Sequence, residues 1–182
     1  MMGKNILILT ASARQGGNSN LMARAFREEA ERAGHTVEVF DTAAHRILPC
    51  RACDQCFSAG RACVFADDFA LLSPLLEWAD TLVLAMPLYW YTFPASIKAA
   101  LDKLYAFIVG GKTLPIKEAV LLICGEIAEE RVFEGAVRSY ELILEDRGWK
   151  DSGRLVVPGV NKAGEIKETD ALDRARALAR SL

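Results

Sequence analysis

Lys4-Asn5-Ile6-Leu7-Ile8-Leu9-Thr10, followed without a break by Ala11-Ser12-Ala13-Arg14-Gln15-Gly16-Gly17-Asn18-Ser19, is the stretch that sets the fold. The aliphatic run Ile6 to Leu9 is short and uninterrupted, which fits a parallel strand covered on both faces. The next segment is small and polar and is broken by Gly16-Gly17, so it reads as a loop. From Ser19 to Gly34 apolar residues return at helical spacing (Leu21, Met22, Ala25, Phe26, Ala30), and Gly34 provides a stop. Strand, glycine-containing loop and helix in that order form the opening unit of a parallel α/β sheet.

The same alternation continues along the chain. Thr36–Phe40 reads as a second strand, and Asp41–Phe65 as an irregular segment. Asp67 opens a helix toward Ala79, in which Pro74 fits only near the start or at a kink. Thr81–Met86 is a third strand and Pro87–Phe93 an aromatic loop. Pro94 suits the first position of a helix running to about Phe107. Ala119–Cys124 is a fourth strand, Glu129–Arg147 a long helix closed by Gly148, Arg154–Val157 a fifth strand, and Glu168–Leu182 a last helix. Parallel strands need crossovers, and the crossover helices cover both faces. The expected fold is therefore α/β: a doubly wound, flavodoxin-like three-layer sandwich on a five-stranded parallel sheet of order 2-1-3-4-5. Residues 1–182 form a single domain, with a cysteine-rich insertion at about 41–65.

Composition narrows the function. The 182 residues carry a net charge of -2, with 52% hydrophobic and 25% charged residues, an ordinary globular balance. A general nucleic-acid binder needs a basic surface, so nucleic acid is not an expected partner. No apolar run approaches the roughly 20 residues of a membrane span, and the N-terminus lacks a signal peptide's apolar core. The expectation is a cytoplasmic protein with no membrane partner.

Ligands of such sheets bind beyond the carboxyl ends of the strands. Three loops are expected there: Ala11–Ser19, Pro87–Phe93 and Cys124–Ala128. The first matches neither a Walker loop nor the Gly-x-Gly-x-x-Gly fingerprint. It is rich in donors (Ser12, Arg14, Asn18, Ser19 and, one residue on, Asn20) and leads into a helix N-terminus, whose free N–H groups and positive dipole suit a phosphate. The bland alternative is a capped helix with a solvated arginine. The second loop places Tyr89, Trp90, Tyr91 and Phe93 after a central strand. Pro87, Leu88, Tyr89 and Trp90 are the candidates for stacking a flat ring, whereas Phe93 and Tyr91 read as core or interface residues.

Four of the five cysteines follow the spacing Cys50-x2-Cys53-x2-Cys56-x6-Cys63. The compact triplet is the run that holds corners of a [4Fe-4S] cluster in bacterial ferredoxins. Zinc would also accept four thiolates, although structural zinc sites more often show two separated pairs. Free thiols, a redox disulfide or packing residues are further alternatives. Cys124, at a strand end, reads as a small buried hydrophobe. His35 and His45 are isolated, Lys98 and Asp102 are spaced to pair on a helix, and Glu126–Glu130 reads as a solvated helix start. No nucleophile–base–acid set for a hydrolase is apparent.

Ser12-x-Arg14-x-x-x-Asn18-Ser19, Pro87-x-Tyr89 and Pro94-x-x-x-Lys98 together resemble the NADPH-dependent FMN reductase branch of the flavodoxin-like superfamily, over nearly the whole chain. The resemblance implies that the first loop binds the FMN phosphate, the second lies along the isoalloxazine ring, and Gly125 of the third adds backbone contacts. Ala11 and Ala13 stand where that family usually has Gly and often Pro. The cysteines, with Asp67-Asp68 after them, are similar to those of the iron-sulfur flavoproteins, which implies a [4Fe-4S] cluster on Cys50, Cys53, Cys56 and Cys63. The implied activity is an FMN-dependent oxidoreductase. NAD(P)H or a ferredoxin-like carrier would be the donor, and a quinone, flavin or protein the acceptor. Electrons in that group usually pass across a subunit interface, and an aromatic loop at the flavin edge fits a homodimer or homotetramer. A non-enzymatic electron-transfer module is the competing expectation.

Overall fold

The computed structural model describes residues 3–182. Five strands, β1 (Asn5–Thr10), β2 (Thr36–Asp41), β3 (Thr81–Pro87), β4 (Glu118–Cys124) and β5 (Lys150–Val157), form one sheet of order β2-β1-β3-β4-β5. All its pairs are parallel; Ile6, for example, lies opposite Val37 on one side and Thr81 on the other. The expected topology is the observed one.

Alternation along the central strands divides the core in two. Ile6, Ile8, Val83, Ala85, Val120 and Leu122 face α1 (Asn18–Arg32) and α6 (Ala171–Arg180). Leu7, Leu9, Leu82, Leu84, Leu121 and Ile123 face α2 (Phe69–Trp78), α3 (Ala95–Asp102), α4 (Tyr105–Val109) and α5 (Glu134–Arg147). Strands buried on both faces read as continuous aliphatic runs for this reason.

The differences from expectation are local. Pro94 is the N-cap of α3, with φ -54° and ψ 143°, so the helix starts one residue later. That helix also does not run through to Phe107: it ends at Asp102 and restarts at Tyr105, where Lys103 turns its side chain inward to Asp67. Pro74 lies inside α2, facing solvent beside exposed Ala70, whose unpaired carbonyl can be hydrated. A 3-10 turn over Glu130–Phe133 precedes α5, and another over Glu165–Glu168 precedes α6. β5 begins at Lys150, four residues early, because a register shift against Ala119–Leu121 accommodates the polar run Lys150-Asp151-Ser152-Gly153.

That irregular start of β5 serves a buried carboxylate at the amino edge of the sheet. Glu118 accepts hydrogen bonds from Lys4 Nζ, from Thr81 Oγ1 (2.9 Å) and from Ser152 Oγ (2.6 Å). Burial pushes its pKa up, but the bonds from Lys4, Ser152 and Thr81 together outweigh burial and hold it below the ordinary 4.5. A carboxyl depressed in the folded state contributes stability that is complete above its unfolded pKa and is lost as pH falls through the folded one. Glu118→Gln is therefore expected to cost about 1–2 kcal/mol at neutral pH. It should also flatten the acid-side decline, a result that urea unfolding midpoints measured from about pH 3 to pH 7 would show.

Candidate functional site

The carboxyl ends of β1, β3, β4 and β5 open onto one groove with two lobes. The narrower lobe, about 200 Å³, is lined by Ser12, Arg14, Gly17, Asn18 and Ser19 from the first loop, Pro87, Leu88 and Tyr89 from the second, Cys124, Gly125 and Glu126 from the third, and Val160, Asn161 and Ala163 from a fourth loop after β5. The wider lobe, about 570 Å³, is lined by Leu88, Tyr89, Trp90, Tyr91, Gly125, Glu126 and Ile127. Four of these residues line both lobes, so the groove is continuous.

The narrow lobe has the donors that an anion would need. Helix α1 starts after Gly17 with no side-chain cap and no acidic residue in its first turn. Leu21 N–H makes the first bond of the turn, to Gly17. The N–H groups of Asn18, Ser19 and Asn20 thus lie in the part of a helix that has no internal partner. Ser19 is 1% exposed, and its hydroxyl has no hydrogen-bond partner. An unpaired buried hydroxyl costs roughly 1–3 kcal/mol, which a ligand accepting its proton would offset. Gly17 keeps the cradle open: a Cβ there would lie 2.5 Å from Ser12 Oγ. Arg14 crosses the mouth, one guanidinium N–H held by Asn161 C=O at 2.9 Å, with its other donors available.

The two asparagines are engaged within the protein. Asn18 donates to Lys162 C=O (3.0 Å) and accepts from Ile166 N–H (3.2 Å), tying α1 to the fourth loop. Asn20 donates to Ser12 C=O (3.0 Å), bracing the first loop, while its Oδ1 is buried without a partner. Their side chains shape the cradle, and Asn20 lies outside its lining.

The wide lobe has an aromatic lip. Tyr89 and Thr92 exchange backbone hydrogen bonds (3.2 and 3.1 Å), closing a tight turn with Trp90 and Tyr91 at its tip. Both tip residues have left-handed backbones, φ 47° and 66°. Gly135 lets α5 approach this turn, since a Cβ there would sit 2.8 Å from Tyr91 O. Trp90 is 91% exposed, and Tyr91 is exposed and lines the lobe, so Tyr91 is not a core residue, whereas Phe93 is. Glu126 stands on the rim of both lobes rather than in a helix start. Cys124 is buried beneath, and burial pushes its thiol pKa up to about 12, which keeps it protonated.

Sequence reasoning missed the fourth loop, Pro158–Gly164. Its Gly-Val-Asn-Lys-Ala-Gly composition after a strand of the same sheet was the available signal. Backbone bonds join it and the end of β5 to the third loop: Val160 N–H to Gly125 C=O (2.9 Å) and Gly159 N–H to Ile127 C=O (3.2 Å) from the loop, and Gly125 N–H to Val157 C=O (3.1 Å) at the strand end. Leu88 N–H to Cys124 C=O (2.7 Å) attaches the second loop as well.

The four clustered cysteines line a separate small cavity of about 20 Å³, walled by Phe65, Lys103, Tyr105 and Ala106. All are free thiols. Cys56 has its pKa raised by burial and then by Cys53, Cys50 and Cys63. Among the described residues no group of three or more His, Cys, Asp or Glu side chains is arranged to hold a metal ion. The segment carries left-handed backbone at Ala52, Asp54 and Phe57, on either side of Cys53 and just after Cys56. Its base is fixed by Asp68, which accepts Arg46 N–H (2.7 Å), and Asp67, which accepts Leu48 N–H (2.8 Å).

A doubly wound sheet carrying an anion cradle and an aromatic-lipped groove at its carboxyl edge defines a flavodoxin-like protein. Within that class, residues 4–134 match the NADPH-dependent FMN reductase family, and the chain belongs to it. An iron-sulfur flavoprotein from Archaeoglobus fulgidus is 31% identical over 99 residues, 54% of this chain and 44% of that protein. Another from Methanosarcina thermophila is 28% identical over 95 residues, 52% of this chain and 49% of that one. The matches thus span about half the length of these relatives. Among solved structures, the NAD(P)H:quinone oxidoreductase from Methanothermobacter marburgensis superposes with a TM-score of 0.78 at 25% identity, covering 98% of this chain and 95% of that one. The Trp repressor binding protein from Bacillus subtilis shares the fold, with a TM-score of 0.68 at 18% identity, covering 95% and 96%. Among the described residues no helix is long and apolar enough to cross a membrane.

Proposed function

We propose that the chain is an FMN-dependent oxidoreductase. It takes electrons from NAD(P)H or a ferredoxin-like carrier and delivers them to a quinone, flavin or protein acceptor, with a [4Fe-4S] cluster on Cys50, Cys53, Cys56 and Cys63. The observation that carries the flavin reading is the continuous groove, with the unpartnered, buried Ser19 hydroxyl at its narrow end and an aromatic lip at its wide end. When bound, FMN supplies hydride acceptance and release of electrons singly or in pairs. The chain's part is to bind, orient and exclude water. Ser12, Arg14, Ser19 and the first N–H groups of α1 hold the phosphate, while Asn18 and Asn20 fix the loops that present them. Pro87, Leu88, Tyr89, Trp90 and Gly125 bound the ring.

The cysteine segment supports the cluster in its donor chemistry: four free thiols around one cavity, with a buried lysine in its wall. Anaerobically purified protein is expected to show flavin bands over broad iron–sulfur absorption, and to oxidise NAD(P)H with a quinone at steady state. Flavin without turnover would leave an electron-transfer module; protein that binds no flavin would overturn the reading.

A second copy of the chain completes the groove in this proposal. Tyr89, Trp90, Tyr91 and Ile127 expose apolar surface at one lip, and monomers rarely leave such a patch open. Light scattering of the FMN-bound protein at micromolar concentration should give a dimer or tetramer, and Trp90→Glu should shift it toward monomer. A wild-type monomer would refute this.

A further inference from the structure

Lys103 caps the C-terminus of α3 and is only 3% exposed; its ammonium pairs with Asp67, whose side chain is 1% exposed, and lies 5.3 Å from the centre of the Phe69 ring. Two ions so buried lose their hydration, and a well-packed apolar pair would hold the fold as well or better. Stability does not account for this pair; its place does. Of the two residues only Lys103 lines the cavity of the four cysteines. The Asp67 carboxylate, outside that lining, also accepts the N–H groups of Leu48 (2.8 Å) and Phe69 (3.1 Å). The cavity therefore meets the positive member of the pair.

The geometry points to Lys103 as the buried cation that sets the reduction potential of the cluster held by Cys50, Cys53, Cys56 and Cys63; this rests on the cluster reading above. An electron entering a site that already carries four thiolates adds negative charge beside the buried Lys103. An ammonium in the wall stabilises the reduced form more than the oxidised one and raises the potential. The other cations near the segment act more weakly. Arg51 also lines the cavity and lies over Phe65 (4.7 Å), Arg61 donates to Cys63 C=O (3.0 Å) and Val64 C=O (2.7 Å), and Lys112 lies over Phe57 (4.3 Å) and pairs with Glu77; all three are exposed, so water and salt screen them. The exposed Asp54, also in the cavity lining, opposes them. Lys103 is thus a tuning residue that holds the cluster within reach of the donor. It has no contact with the flavin groove and takes no part in proton transfer.

The test is a potentiometric titration of the reconstituted holoprotein, followed by electron paramagnetic resonance of the reduced cluster, with iron measured on every sample. Lys103→Met should lower the midpoint potential, Lys103→Arg should restore it, and Asp67→Asn should raise it. The double variant Lys103→Met/Asp67→Asn removes both charges and spares the single variant's unpaired carboxylate. Its potential should fall between that of Lys103→Met and the wild type, and it decides the matter if Lys103→Met does not fold. Lys112→Met is the exposed control and should shift the potential far less. Full iron with an unmoved potential in the double variant, or an equal shift in Lys112→Met, overturns the role of Lys103 alone. Wild-type protein without iron after anaerobic reconstitution overturns the cluster reading and this role with it.

Discussion

Titrated side by side with FMN and riboflavin, the apoprotein is expected to hold FMN more tightly by a factor of at least about 100. The two ligands differ only in the phosphate, so the difference isolates the narrow lobe. Each charge-assisted hydrogen bond contributes roughly 1.5–3 kcal/mol, and two of them already give that ratio. Arg14→Ala should weaken FMN by roughly 10- to 100-fold and leave riboflavin nearly unchanged. Ser19→Ala carries a sharper signature. It removes a buried hydroxyl with no partner in the protein, so the apoprotein should be as stable as the wild type or more so, while FMN binds less tightly. Loss of FMN binding accompanied by an equal loss of apoprotein stability would reduce Ser19 to a packing residue. Equal affinity of the wild type for FMN and riboflavin would remove the phosphate site altogether.

The second large effect lies in the cysteine segment. Anaerobically reconstituted protein should contain about four irons per chain, as one four-thiolate cluster requires. Cys53→Ser should lose most of that iron yet keep its flavin, because the cysteine cavity shares no lining residue with either lobe of the groove. Cys124→Ser should keep both cofactors, since that thiol is buried on β4 and held protonated. Iron and flavin analysis of the three proteins provides the check, and wild-type protein without iron would leave a plain flavin reductase.

The sheet was legible because its signal is redundant. Ile6–Leu9, Leu82–Met86 and Val120–Cys124 are apolar runs too short for helices and typical of strands covered on both faces, and each is followed by a helix-length segment. The limits of the elements were less legible, because they depend on tertiary partners. Lys103 breaks a helix by reaching for Asp67, thirty-six residues away in sequence. Lys150–Gly153 joins β5 although it has no apolar pattern, since Ser152 answers to Glu118 on the neighbouring strand. In the groove, Ser12, Arg14 and Ser19 could be identified from donor chemistry after the first strand. The internal engagement of Asn18 could not, because its partners, Lys162 in the fourth loop and Ile166 in the 3-10 turn after it, lie more than 140 residues away in sequence. Nor does Trp90-Tyr91 announce a left-handed turn, a backbone that glycine and asparagine adopt far more readily.

That turn has a consequence for anyone who would make the protein sturdier. Two bulky aromatic residues in left-handed backbone each carry a penalty on the order of 1–2 kcal/mol, and an Asn-Gly pair would form the same turn without it. A stabilisation screen that ranks variants by melting temperature alone will therefore favour replacing Trp90 and Tyr91, and so will tend to discard the lip of the groove. Robustness and recognition compete at these two positions. A thermostable form that keeps its ligand is better sought at the amino edge of the sheet, among the neighbours of Glu118.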